Sequence, residues 1–366
     1  MIRKHQFPRH VAAGILHRKK PSAHTVGMKQ KRIGAQTVCF SDPPSVIGSA
    51  CIGGKKEGEG PLGNSFDFIS EDAYFGERSW EKAESAMQKL AYFHAMNKAR
   101  LSSSALDYIF AGDLLNQCTA SAFSMRDTDV PYFGLYGACS TMAEALSLAA
   151  MSIDGGYADH ACAVTSSHFC SAERQFRLPL EYGGQRTPTA QWTATAAGAA
   201  VLAAQGCGPY ITAVTTGKIR DAGITDANNM GAAMAPAAYH TISAHLADLG
   251  KQPSDYDLIV TGDLGLVGRG VVMDFFLQDG LDIAPYYDDC GMLLYDRDKQ
   301  DVHAGGSGCG CSAAVLCGWL LDGLRAGRWN NLLFCATGAL LSPTTTGQGE
   351  SIPGICHAVS FSMTKG

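Results

Sequence analysis

No apolar run in this 366-residue chain reaches the roughly 18–20 residues needed to span a bilayer. The longest, such as Ala313–Leu321, read as core helix, so any membrane association is expected to be peripheral. Charge is sparse as well: 17 % of residues are charged and the formal net charge is -5. No basic face for nucleic acid is expected. A small acidic ligand is not excluded, because its site needs only local positive potential. The 13 cysteines form no disulfide framework. Cys162, Cys317 and Cys335 stand in apolar segments, and an odd number in a long chain reads as a reducing compartment. Cys309 and Cys311 make a C-x-C, but no second pair stands at a zinc spacing, and structural zinc takes four ligands. No metal site is expected. Residues 1–28 carry Arg3, Lys4, Arg9, Arg18, Lys19 and Lys20 without an apolar h-region, which excludes a secretory signal. They are expected to be a disordered basic extension or a start placed too early, with Met28 just ahead of the first strand-like segment.

What the chain does have is apolar content, at 46 %, and 42 glycines, enough for one large layered body or two fused halves. Its two halves repeat each other. Asp107–Leu114 (DYIFAGDL) matches Asp255–Leu264 (DYDLIVTGDL) after a short slip; each is an apolar run ending in Gly-Asp-Leu, the pattern of a buried strand entering a turn. Cys139-Ser140 and Cys311-Ser312 each open an Ala/Leu-rich segment, with the following glycine and the end of the next strand at matching distances. Strands alternating with helices predict an α/β fold with mainly parallel sheets. Thr195–Ala203 and Ile355–Phe361 are expected to close the two halves. Outer helices are expected over Glu77–Asn97, starting at Ser79, and Ala235–Leu249, starting at Pro236. Phe169–Gln191, polar and without regular period, reads as a functional loop or lid.

The strongest local motif is Phe133–Thr141 (FGLYGACST): a strand, a glycine turn, then a cysteine opening a helix. A helix N-terminus presents unpaired N–H groups and positive potential, which attract anions and lower a thiol's pKa. The plain alternative is a buried, inert Cys139.

Gly137-Ala-Cys139-Ser resembles the nucleophile region of thiolases and ketoacyl synthases, and the tandem repeat resembles their architecture. The resemblance implies a thiolase-like fold of two pseudo-repeated halves, 29–206 and 207–366, in a layered αβαβα sandwich. Glu59–Gly63, Ala111–Gln117, Thr165–His168, Ala172–Arg177, Glu181–Gly184, Met234–Ala238, Gly305–Cys309 and Ala336–Pro343 narrow it to the SpoVAD family of spore-forming bacteria. The condensing enzymes pair their cysteine with His, or His and Asn, which polarise the thioester carbonyl and move the proton. The corresponding places here are Thr261-Gly262-Asp263 and Gly305–Gly310, neither with an imidazole. His168 follows the strand after the Cys139 helix and is a candidate to approach the cleft; His240, His245, His303 and His357 are weaker ones.

The SpoVAD resemblance implies a non-catalytic protein that binds dipicolinic acid (pyridine-2,6-dicarboxylate) for its uptake into the developing spore. It also implies attachment to the spore inner membrane by other SpoVA membrane proteins, no cofactor, and Ca²⁺ only as part of a ligand chelate. A homodimer is common in condensing enzymes. In this reading Cys139 and Ser140 hold one carboxylate; Ser307, Gly308 and Cys309, in the Gly305–Gly310 loop, hold the other; Asn116 and Gln117 add donors. Asp113 and Asp263, at equivalent strand ends, would repel a dianion. They are expected to turn away and hold loop N–H groups, to be protonated, or to share a Ca²⁺ with the ligand; capping the turn after its own strand is the plain alternative for each. The competing expectation is an acyl-CoA thiolase or ketoacyl-synthase-like enzyme with Cys139 as nucleophile.

Overall fold

The computed structural model describes residues 31–176 and 186–365. In the first half, β1 (Ser45–Gly54) leads to helix α1 (Trp80–Ala99), β2 (Tyr108–Gly112), α2 (Thr119–Met125), β3 (Tyr132–Leu135), α3 (Thr141–Asp154), β4 (His160–Ser167), α4 (Phe169–Phe176) and β5 (Ala196–Ala203). The second half repeats the series: β6 (Tyr210–Thr215), α5 (Met230–Leu249), β7 (Leu258–Thr261), α6 (Gly265–Gln278), β8 (Tyr287–Asp289), α7 (Cys309–Ala314), β9 (Asn331–Ala339) and β10 (Gly354–Ser362). Helix α7 continues through a π-helical stretch, Val315–Leu320, and a last α-turn, Leu321–Arg325.

Strand order is the same in each half, β3-β2-β4-β5-β1 and β8-β7-β9-β10-β6, the two sheets meeting at Tyr210 and Ser45. The sheets are mainly parallel in strand direction, as expected, with one reversed strand in each half. β2 is parallel to β3 and β4, and β7 to β8 and β9, but β5 and β10 run antiparallel to both neighbours. In each half the chain enters the closing strand at the end where its neighbour leaves: Ser167 pairs with Ala196, and Ala339 with Gly354.

Period-two burial divides the interior into three cores. Ala161 and Ala163 of β4, and Leu332, Phe334 and Ala336 of β9, face the central layer with Met142 and Leu146 of α3 and Val315 and Leu316 beyond α7. Cys162 and Val164 face α1 instead, with Met87, Ala91 and Tyr92. Leu333 and Cys335 face α5, with Ala237, Ala238 and Ile242. Two sheets, each apolar on both faces, require three helical layers to cover them, which gives the αβαβα sandwich. α7 lies so close to β5 that a Cβ on Gly198 would stand 2.4 Å from the Ala313 carbonyl oxygen, and one on Gly310 2.2 Å from that of Ala196.

Ser79 caps α1 by accepting from Lys82 N–H, as its sequence position predicts. The start of α5 differs. Asn229 caps the helix, which begins at Met230 and carries Pro236 inside it. Gly231 packs there against the backbone of Gly268 in α6. Phe169–Phe176, expected as loop, is helical, while Arg177 and Glu181 lie outside the described residues, as do residues 1–28. Among the described residues no helix is long and apolar enough to cross a membrane.

Candidate functional site

Cys139 sits on a tight turn between β3 and α3. Ala138 takes a left-handed φ of 50°, and the turn is held by its own polar groups. Ser140 N–H and Oγ both donate to Gly137 O, at 3.1 and 2.7 Å; Gly137 N–H donates to Thr141 Oγ1. Ser140 is fully buried, and its proton is committed to this turn. Cys139 therefore precedes the helix rather than opening it, and only 6 % of it reaches the surface.

The second half supplies the partner. Asp263, just past β7 and fully buried, accepts from Gly308 N–H at 2.9 Å, Ser307 Oγ at 3.3 Å and Thr337 Oγ1 at 2.8 Å. The Cys139 thiol stands beside the same carboxylate, whose charge acts on it. Gly308 caps α7 with a φ of 101°, open to glycine and strained for other residues. Asp263 thus occupies the positive end of α7, where the sequence reading had placed a ligand carboxylate. The Gly305–Gly310 loop donors expected for that ligand are in part taken: Gly308 N–H by Asp263 and Gly310 N–H by Ser167 Oγ. Cys309 packs beside Cys139 and donates its thiol to Ser166 O.

The electrostatics correct the expectation of an acidified thiol. Burial pushes the Cys139 pKa well above its ordinary value, and the neighbouring Asp263 carboxylate and Cys309 raise it further. A helix end carries about half a unit charge, which does not offset full desolvation beside a carboxylate. Asp263 is raised by burial, against the lowering effect of the groups that donate to it.

In front of Cys139 lies a cavity of about 50 Å³, lined chiefly by Leu114, Tyr136, Phe176, Met230 and Leu341, with Thr193, Ser307 and Glu173 as polar points. It has room for no more than a few waters and falls short of the roughly 300 Å³ of a usual ligand pocket. Among the described residues no histidine lines it. His168 bonds Ala73 O through Nε2 and accepts Cys170 N–H at Nδ1. His245 lies between Thr215 and Tyr256, His303 between Thr187 and Asp301, and His357 accepts Gly217 N–H. Asn116 sits on a separate exposed groove, its N–H donated to Gln175 Oε1, and Gln117 is exposed beside it in a left-handed conformation.

Asp113 caps its own loop, accepting from Leu115 N–H, Ser121 N–H and Ser121 Oγ at 2.6–2.8 Å. Behind it, Glu84 accepts from Ser166 and Ser171, and Gln88 bridges Gly112, Ser121 and Ser166. Burial, with the nearby Asp113, raises the Glu84 pKa. The sequence reading missed this buried network, as well as Tyr136, Phe176, Thr193, Met230 and Leu341. Phe176, Thr193, Met230 and Leu341 meet the site through long-range packing, without local spacing to mark them, whereas Tyr136 belongs to the Cys139 motif itself. Among the described residues no group of three or more His, Cys, Asp or Glu side chains is arranged to hold a metal ion.

Residues 34–362 match the family described as Stage V sporulation protein AD (SpoVAD). The Stage V sporulation protein AD of Bacillus subtilis (strain 168) is 45 % identical over 336 residues, 92 % of this chain and 99 % of that protein. Among solved structures, 3-oxoacyl-[acyl-carrier-protein] synthase III from Aquifex aeolicus VF5 aligns with a TM-score of 0.52 at 13 % identity, covering 87 % of this chain and 99 % of that one. A Xanthomonas campestris OleA variant aligns at 0.55 and 16 % identity, covering 88 % and 99 %. At such identities these two structures speak for the fold alone, which is thiolase-like.

Proposed function

The chain belongs to the Stage V sporulation protein AD (SpoVAD) family, and on that premise we propose that it is a non-catalytic receptor for dipicolinic acid, acting in its uptake into the developing spore. The observation that carries this reading is the partner of Cys139. Where a condensing enzyme needs an imidazole to take up a proton and polarise a carbonyl, this cleft has the Asp263 carboxylate, and the thiol stays protonated. A protonated thiol is a poor nucleophile, and an ionised carboxylate donates no hydrogen bond to an oxyanion. The apolar walls, Phe176, Met230 and Leu341 among them, suit a flat aromatic ring, and these side chains have to move aside to admit one. Attachment to the spore inner membrane falls to partner SpoVA proteins in this reading.

Calorimetry with dipicolinate, with and without Ca²⁺, tests the proposal. The unaltered protein is expected to bind. Cys139→Trp, which fills the cavity, is expected to weaken binding by at least about 100-fold, roughly the ~3 kcal/mol typical of overpacking a tight site. Equal affinity in the two proteins rules this site out. Incubation with acetyl-CoA followed by mass spectrometry addresses the acyl-transfer alternative: a stable adduct on Cys139 favours an enzyme.

A further inference from the structure

A dianion approaching Cys139 meets a carboxylate already seated at the start of α7. Asp263 is fully buried, and among the described residues its titratable neighbours supply no counter-charge. The titratable groups facing it are Cys139 from the turn before α3, Cys309 and Cys311 from α7, and Asp289 and Cys290 at the end of β8. Tyr136 and Glu173 line the cavity beyond. None of these is a lysine, arginine or histidine. Two carboxylates of a ligand added to Asp263 would put three like charges in one apolar pocket, a repulsion the surrounding dipoles do not offset.

The hydroxyl of Ser307 offers the way out. Its bond to Asp263 Oδ2, at 3.3 Å, is the longest that carboxylate accepts, and Ser307 also lines the cavity. Resting on the dipicolinate reading, we infer that the site takes up its dicarboxylate together with one proton, which Asp263 receives. The proton comes from solvent and forms an O–H on Asp263 Oδ2. Asp263 then donates to Ser307 Oγ, and Ser307 turns its own hydrogen into the cavity toward a ligand carboxylate. Gly308 N–H and Thr337 Oγ1 keep donating to the carboxyl group. The site loses one negative charge as the ligand enters, and one new donor faces it. Burial already lifts the Asp263 pKa in the empty protein, which lowers the cost of that proton.

Calorimetric titration of the full chain with disodium dipicolinate, near pH 7.5 in two buffers of different protonation enthalpy, counts the protons. About one proton is expected to be taken up per ligand, with affinity falling about tenfold for each pH unit of rise while Asp263 is ionised in the free protein. Asp263→Asn is expected to bind with no proton uptake and a flat pH profile. Binding without uptake in the unaltered protein overturns this inference and leaves the dipicolinate reading standing; absence of any binding sinks that reading first. Uptake that persists in Asp263→Asn but vanishes in Glu173→Gln, or binding that needs equimolar Ca²⁺ with no proton change, also overturns it. Should Asp263→Asn fail to fold by circular dichroism, the proton count in the unaltered protein decides alone.

Discussion

The two halves place an aspartate at the same strand end and then use it differently. In the first half Asp113 holds its own loop through Leu115 and Ser121. In the second half that work passes to Asp289 of β8, which accepts from Leu264 N–H, Gly265 N–H and Thr261 Oγ1. Asp263 is thereby free to reach Gly308, Thr337 and the Cys139 thiol. The cysteines diverge likewise: Cys139 borders a cavity, while its repeat mate Cys311 is buried in the central core. Duplication kept the positions and relocated the roles, so that only one of the two equivalent cysteines borders the cavity.

The largest expected effect tests Asp289 as the stand-in for Asp113. Burial, its first cause, pushes the Asp289 pKa up to about 7, against about 3.9 in an unfolded chain. Between those values the folded protein retains a proton that the unfolded chain has released. Stability therefore falls as pH rises from about 4 to about 7, by ~1.4 kcal/mol per unit and ~4 kcal/mol in all, and levels off above. Denaturant unfolding across this range is expected to show the slope, and Asp289→Asn to remove that share of it; an unchanged slope breaks the comparison. Next, Asp113→Ala strips three buried donors of their acceptor and is expected to cost about 3 kcal/mol, whereas Asp263→Asn, which keeps an acceptor oxygen, is expected to cost about 1 kcal/mol. Equal losses would mean the two aspartates still do the same job. The smallest effect is on reactivity. Removing the negative charge beside Cys139 lowers the thiol's pKa, so Asp263→Asn is expected to speed iodoacetamide alkylation of Cys139 about tenfold near pH 8, the equivalent of ~1 pKa unit. Asp113→Asn is expected to leave that rate unchanged, with peptide mass spectrometry as the readout.

Much of this architecture can be read from local pattern. Apolar runs ending in Gly-Asp-Leu located β2 and β7, Ser79 marked the start of α1, and the paired Cys-Ser segments gave the repeat its register. The convergence of Cys139, Asp263 and Gly308 followed from that repeat and from the family resemblance. Other features carry no local signal. Pro236 lies inside α5, whose start is set by the Asn229 cap rather than by the proline. The hand-over from Asp113 to Asp289 is a choice of partners made across β7 and β8. The cavity walls come from α4, α5 and the segment after β9, which meet only once the two sheets have stacked. α4 itself hid in a polar stretch because its apolar side, Ala172 and Phe176, is short.

The tight seating of α7 on β5 sets the mechanics of the cleft. With no room for even a methyl group at Gly198 or Gly310, α7 is held fast against β5, and with it Cys309, which packs beside Cys139. Sliding of the central helices is denied as a means of enlargement. Whatever molecule enters has to be admitted by the outer side chains, so changes at Phe176, Met230 or Leu341 should tune how fast a guest arrives and departs, while changes in the glycine seam should cost the body its integrity.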